Sequence, residues 1–97
     1  MKLLSLIVPV LNEEEAIPLF YEAVQEVLHD EPYELESLFV DDGSTDRTLK
    51  IIEGLHVRDP RVRAISFSRN FGKELALAAG LQAACGDAVV PMDVDLQ

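Results

Sequence analysis

The sequence predicts an α/β fold in which one parallel sheet carries helices on both faces. Three observations lead there. The apolar pattern switches between two periods, giving four strand-like runs separated by three helical stripes. The first of those runs is nearly continuous, as expected of a strand covered on both faces. The chain has 97 residues, 48% hydrophobic and 27% charged, which fits one small globular domain and argues against disorder.

Leu3 to Val10 is apolar except for Ser5 and Pro9 and reads as the first strand. Ala16, Leu19, Phe20, Ala23, Val24, Val27 and Leu28 then recur at helical spacing, one stripe of an amphipathic helix. Asn12 stands where an N-cap is expected, with Glu13 to Glu15 in the first turn, and His29-Asp30-Glu31-Pro32 ends the helix. Leu35 to Val40 is a second strand, cut off by Asp41-Asp42-Gly43-Ser44-Thr45-Asp46. Ser44 or Thr45 is positioned to cap a second helix, with Leu49, Ile52 and Leu55 on one face. After a turn at Asp59-Pro60, Val62 to Phe67 reads as a third strand, and Ser68 to Lys73 as a polar loop. Leu75 to Ala84 is expected to be a third helix, with Gly86 closing it in the C′ position. Ala88 to Met92 is the fourth strand, and the sequence stops at its polar tip, Asp93 to Gln97, without a helix to cover it. A fragment is therefore expected rather than a complete protein.

Composition removes several function classes. A net charge of −10 argues against nucleic acid, whose phosphates require a basic face. The charge is uneven: Lys2 alone faces twelve acidic residues in 1–46, whereas 47–73 is mostly basic. Either a solvated acidic helix lies beside a mixed one, or the basic residues lie near an anionic substrate or lipid head group. Cys85 is the only cysteine, so an intrachain disulfide and a four-cysteine zinc site are excluded and a cytoplasmic setting is expected. A buried, inert thiol is expected for it at the end of an Ala-rich helix. No apolar run approaches the roughly 18 residues of a membrane span, and the N-terminus lacks a signal-peptide cleavage site. No P-loop, G-x-G-x-x-G fingerprint or G-x-S-x-G elbow is present, and His29 and His56 are expected at the surface.

In an open parallel sheet, ligands bind beyond the carboxyl ends of the strands. Three of the four strand tips here carry carboxylates, which repel one another unless a cation joins them. Asp93 and Asp95, at i and i+2 after an apolar strand, are the best candidates to share a hard divalent ion, Mg²⁺ or Mn²⁺.

Four segments in order, Ile7 to Glu14, Phe39 to Asp46, Ser68 to Glu74 and Met92 to Gln97, resemble family 2 glycosyltransferases over the whole chain. The likeness is greatest to the polyprenyl-phosphate branch, bactoprenol glucosyltransferases and dolichyl-phosphate mannose synthases. It implies a Rossmann-like three-layer sheet of strand order 3-2-1-4, the N-terminal nucleotide-binding half of a GT-A type fold, truncated after the D-x-D loop. It also implies a hexose, glucose above all, moved from a UDP-sugar to a polyprenyl phosphate. Pro9, Leu11 and Glu13 would line the nucleotide pocket, and Val40 and Asp42 would hold the base. Asp93, Val94 and Gln97 would complete the nucleotide site, and Asp93 with Asp95 would hold the cation. Asp41 is expected to support its loop by bonding backbone N–H groups ahead of Ser44. The acceptor site and base are expected downstream, so the fragment should bind a nucleotide weakly without turnover. Full-length relatives would be membrane-associated on the cytoplasmic face, and the uncovered fourth strand should favour self-association. The rival readings are a Mg²⁺-binding receiver-like domain, whose acidic pair should follow strand one, and a phosphatase-like domain, whose nucleophilic Asp also belongs there. Here the acidic pair Asp41-Asp42 follows strand two, and the D-x-D of Asp93 and Asp95 follows strand four.

Overall fold

The computed structural model describes residues 2–95. Its elements run β1 (Leu3–Val10), α1 (Ala16–Val27), β2 (Glu34–Asp41), α2 (Thr48–Arg58), β3 (Val62–Ser66), α3 (Lys73–Ala83) and β4 (Ala88–Pro91). All pairings are parallel, in the order β3-β2-β1-β4. The two central strands are the two most apolar runs, because only they are covered on both faces. Gln97 lies outside the described residues, so its expected role has no structural counterpart here.

Alternation along β1 and β2 divides the core. Leu6, Val8, Val10 and Phe39 pack with Ile17, Phe20 and Val24 of α1 and with Ile52 and Leu55 of α2. Phe20 meets Phe39 edge-on, with ring centroids 6.0 Å apart. On the opposite face, Ile7 and Val40 pack against Ala76 of α3. The small residues Ala76 and Gly80 let α3 lie close to the sheet: a Cβ on Gly80 would stand 2.4 Å from Ile7 Cγ2.

Several local expectations change. The buried stripe of α1 is Ile17, Phe20 and Val24, whereas Leu19 and Val27 are 71% and 75% exposed. Helical spacing admits both stripes, and the contact with Phe39 selects the one carrying Ile17. Asn12 does not cap α1. It adopts a positive φ of 53° and turns its side chain to the neighbouring loop, while the Glu13 carbonyl takes the amides of Ala16 and Ile17. Neither Ser44 nor Thr45 caps α2: Arg47 is its N-cap residue, and Asp46 just before it accepts the amide of Thr48, the first helical residue, at 2.9 Å. Gly86 is not a left-handed C′ residue. It is required by close approach, since a Cβ there would meet Ser5 Oγ at 2.5 Å and the Ser5 amide nitrogen at 2.8 Å. Cys85 is exposed in the turn after α3, because its backbone, not its thiol, is drawn inward to Glu36.

Candidate nucleotide site at the carboxyl end of the sheet

The first three loops at the carboxyl end are tied together by side chains. Asn12 Oδ1 accepts the amides of Thr45 (2.8 Å) and Asp46 (3.3 Å), and the Asn12 amide donates to Ser44 Oγ at 2.9 Å. The Ser44 hydroxyl donates in turn to Asp41 Oδ1, which also accepts the Ser44 amide at 3.0 Å. Asp41 therefore supports its loop as expected. A second relay runs alongside: the Glu13 amide donates to Thr48 Oγ1 at 2.9 Å, and Thr48 donates to Asp46 Oδ1. Desolvation pushes the Asp46 carboxyl up, but the hydrogen bonds from Thr48 and Glu14 outweigh it and hold the group below its ordinary range. These bonds fix Leu11 and Glu13 relative to the β2 tip.

Asp42, which is buried, reaches the third loop. Its Oδ1 accepts the Phe71 amide at 2.7 Å and its Oδ2 the Gly72 amide at 3.0 Å. That loop is braced by Phe67 against Phe71, with Arg69 stacked 4.8 Å above the Phe71 ring. Gly43 holds φ at +81°, and a Cβ there would lie 2.4 Å from the Arg69 carbonyl carbon, so only glycine lets these two loops touch.

The fourth loop is anchored differently. Val94 is buried beside the α1–α2 core cluster, so the residues on either side of it, Asp93 and Asp95, stand outward and line the same cleft. Lys73, first residue of α3, donates to Asp93 Oδ1 at 2.8 Å across an exposed pair. That hydrogen bond and the nearby negative charge hold the Lys73 ammonium above its ordinary pKa. Like charges on this rim are thus relieved in part by a lysine of the chain itself.

The result is an open cleft of about 400 Å³ between the tips of β1, β2 and β4 and the start of α3. Of the residues expected to form the site, Pro9, Leu11, Glu13, Asp42, Asp93, Val94 and Asp95 all line it. Val40 does not: it is fully buried beside Ile7 and Ala76 and belongs to the core under the site. Asn70, Gly72 and Lys73 line the cleft without having been assigned a role from sequence, although their loop stood out as a motif. Among the described residues no three His, Cys, Asp or Glu side chains group as a complete metal cage. Two carboxylates are nonetheless an appropriate donor set for a hard ion that takes its remaining ligands from phosphate and water. His29 lies at the exposed end of α1 beside Asp30, and His56 bonds the Val62 carbonyl; neither lines the cleft.

Residues 5–97 match the family model for glycosyl transferase family 2. The chain belongs to that family. It is 61% identical over 94 residues to a bactoprenol glucosyl transferase of Shigella phage SfV, covering 97% of this chain and 31% of that protein. A prophage bactoprenol glucosyl transferase homolog of Escherichia coli K12 is 58% identical over the same share of this chain, again 31% of its own length. Among solved structures, S. aureus TarS 1-349 in complex with UDP superposes with a TM-score of 0.82 at 32% identity, over 98% of this chain and 28% of that one. The mannosyltransferase PcManGT from Pyrobaculum calidifontis, in complex with GDP-Man and Mn²⁺, gives 0.73 at 30% identity, over 95% of this chain and 27% of that one. The four-stranded sheet is accordingly the corresponding part of a GT-A type glycosyltransferase fold. The chain spans under a third of the length of these family members. Among its described residues no helix is long and apolar enough to cross a membrane.

Proposed function

We propose that this chain is the donor-binding half of a glycosyltransferase that moves glucose from UDP-glucose to a polyprenyl phosphate. One observation carries the reading: the cleft brings Asp42, Asp93 and Asp95 together in a chain 61% identical to a bactoprenol glucosyl transferase. Pro9, Leu11 and Glu13 form the wall against which the nucleoside lies. Asp42 receives a ring N–H of the base. Its oxygens already accept the Phe71 and Gly72 amides, but each keeps a second lone pair. Asp93 and Asp95 hold Mg²⁺ or Mn²⁺, which when bound neutralises charge on the nucleoside diphosphate leaving group. The UDP complex of TarS and the Mn²⁺ complex of PcManGT support this choice of ligands.

The acceptor phosphate oxygen attacks the anomeric carbon as the bond to the diphosphate breaks. That oxygen is already ionised at neutral pH, so positioning matters more than a general base. No residue described here is assigned to positioning the acceptor, and we expect this chain to bind UDP without transferring sugar. Release of labelled glucose from UDP-glucose onto polyprenyl phosphate by the 97-residue chain would overturn that expectation. Among the described residues β4 has no strand on its outer side; that edge is expected to pair with a second copy, and light scattering at micromolar concentration should report a dimer. A clean monomer would contradict it.

A further inference from the structure

Lys73 occupies a position that its helix disfavours. It is the first residue of α3, where the backbone dipole presents positive charge and a cation is unfavourable. Its ammonium meets Asp93 Oδ1 at 2.8 Å, yet the two side chains are 61% and 58% exposed, a setting in which an ion pair contributes little. Neither helix stability nor the ion pair accounts for a lysine here. The cleft does: Lys73 is the one basic side chain among its lining residues, set against Glu13, Asp42, Asp93 and Asp95.

We infer that Lys73 is an exchangeable counter-ion, pairing with Asp93 in the empty cleft and turning to the diphosphate of the donor when a divalent cation takes Asp93. The inference rests on the donor-site reading above. Its chemistry is a swap of ionic partners in which no covalent bond forms or breaks and no proton moves. The cation replaces the ammonium on the carboxylate, and the ammonium, on a flexible four-carbon stem, then finds phosphate oxygens beside the amino end of its own helix. Lys73 should therefore oppose cation binding when no nucleotide is present and favour nucleotide binding once the cation is in place.

One substitution separates these two effects, because they have opposite signs. Mn²⁺ titrations followed by water-proton relaxation, alone and with UDP, would be run on the 97-residue chain and on Lys73→Met, Lys73→Arg and Asp95→Asn, with circular dichroism confirming that each is folded. Lys73→Met should bind Mn²⁺ alone about two- to fivefold more tightly, as loss of an exposed competing pair allows. In the presence of Mn²⁺ it should bind UDP about tenfold more weakly, from loss of a charge-assisted hydrogen bond. Lys73→Arg should stay near the parent on both. If Lys73→Met left both affinities unchanged, or moved both in one direction, the exchange would be disproved while the donor site stood. If the parent bound neither Mn²⁺ nor UDP, or if Asp95→Asn bound them as the parent does, the donor-site reading itself would fall.

Discussion

Two carboxylate–cation pairs sit at opposite ends of the same sheet, and they are built in contrasting ways. At the amino end, Glu36 Oε1 accepts from Arg63 at 2.6 Å, while its Oε2 accepts the Ser5 hydroxyl at 2.6 Å and the Cys85 amide at 3.1 Å. Ser5 in turn accepts the Gly86 amide at 2.9 Å, so β1, β2, β3 and the α3–β4 turn meet at one carboxylate whose side chain is 7% exposed. At the carboxyl end, Asp93 is 58% exposed and pairs with a lysine on a flexible stem. The first carboxylate has its hydrogen bonds supplied by the fold and is a structural fixture. The second is held in a way that a ligand can replace. Chemically similar pairs thus take different roles according to burial and to how completely their partners are provided.

The widest test of that contrast is to remove each acid. Glu36→Ala leaves the Ser5 hydroxyl, the Cys85 amide and Arg63 without their acceptor. It should lower unfolding stability by about 3 kcal/mol in urea titrations, a value moderated because Arg63 reaches solvent. Asp93→Ala should change stability by less than about 0.5 kcal/mol, as expected of an exposed pair. Equal effects would erase the distinction between the two ends.

Next in size is the lock between the first two loops. Asn12→Ala removes the acceptor of the Thr45 and Asp46 amides from a residue held at positive φ, and should cost about 1–2 kcal/mol. Because these bonds position Leu11 and Glu13, UDP affinity should fall as well, whereas Glu36→Ala should leave UDP affinity unaltered wherever the protein remains folded.

Acid sensitivity sharpens the comparison further. Burial pushes the Glu36 carboxyl up, but the hydrogen bonds from Ser5, Arg63 and the Cys85 amide outweigh it and hold the pKa below the ordinary 4.5. A lowered folded-state pKa means that the unfolded chain takes up the proton first. The contribution of Glu36 is therefore complete above pH 4.5 and is lost as pH falls through the lower, folded value. Urea midpoints measured from pH 7 to pH 3 should fall at the acid end, and Glu36→Gln should flatten that part of the curve. An unchanged slope in the variant would assign the acid sensitivity to other groups.

Element order, parallel pairing and the acidic rim of the cleft were legible in the residues, because apolar runs and acidic strand tips leave a strong local imprint, whereas the strand order came only with the family resemblance. What was not legible depends on contacts between distant segments. Asn12 is a sound N-cap by local rules, but Thr45 and Asp46 offer it better donors across the loop. Gly86 follows a helix as a C′ glycine does, yet it is needed because Ser5 approaches from β1. Val40 and Asp42, two residues apart, face the same side, but Val40 lies within β2 where α3 covers it, whereas Asp42 lies one residue beyond the strand's end and reaches the rim. Lys73 gave no local signal beyond membership of a recurrent loop motif, and its partner Asp93 is 20 residues away.

On the proposed reading the cleft binds a uridine nucleotide through a cation held by Asp93 and Asp95. Two-dimensional NMR titration with UDP, with and without Mg²⁺, tests it on the chain and on Asp95→Asn. Mg²⁺-dependent shifts should concentrate around Asp42, Gly72 and Asp93 and be lost in the variant. A well-dispersed spectrum that UDP and Mg²⁺ leave unmoved would contradict it.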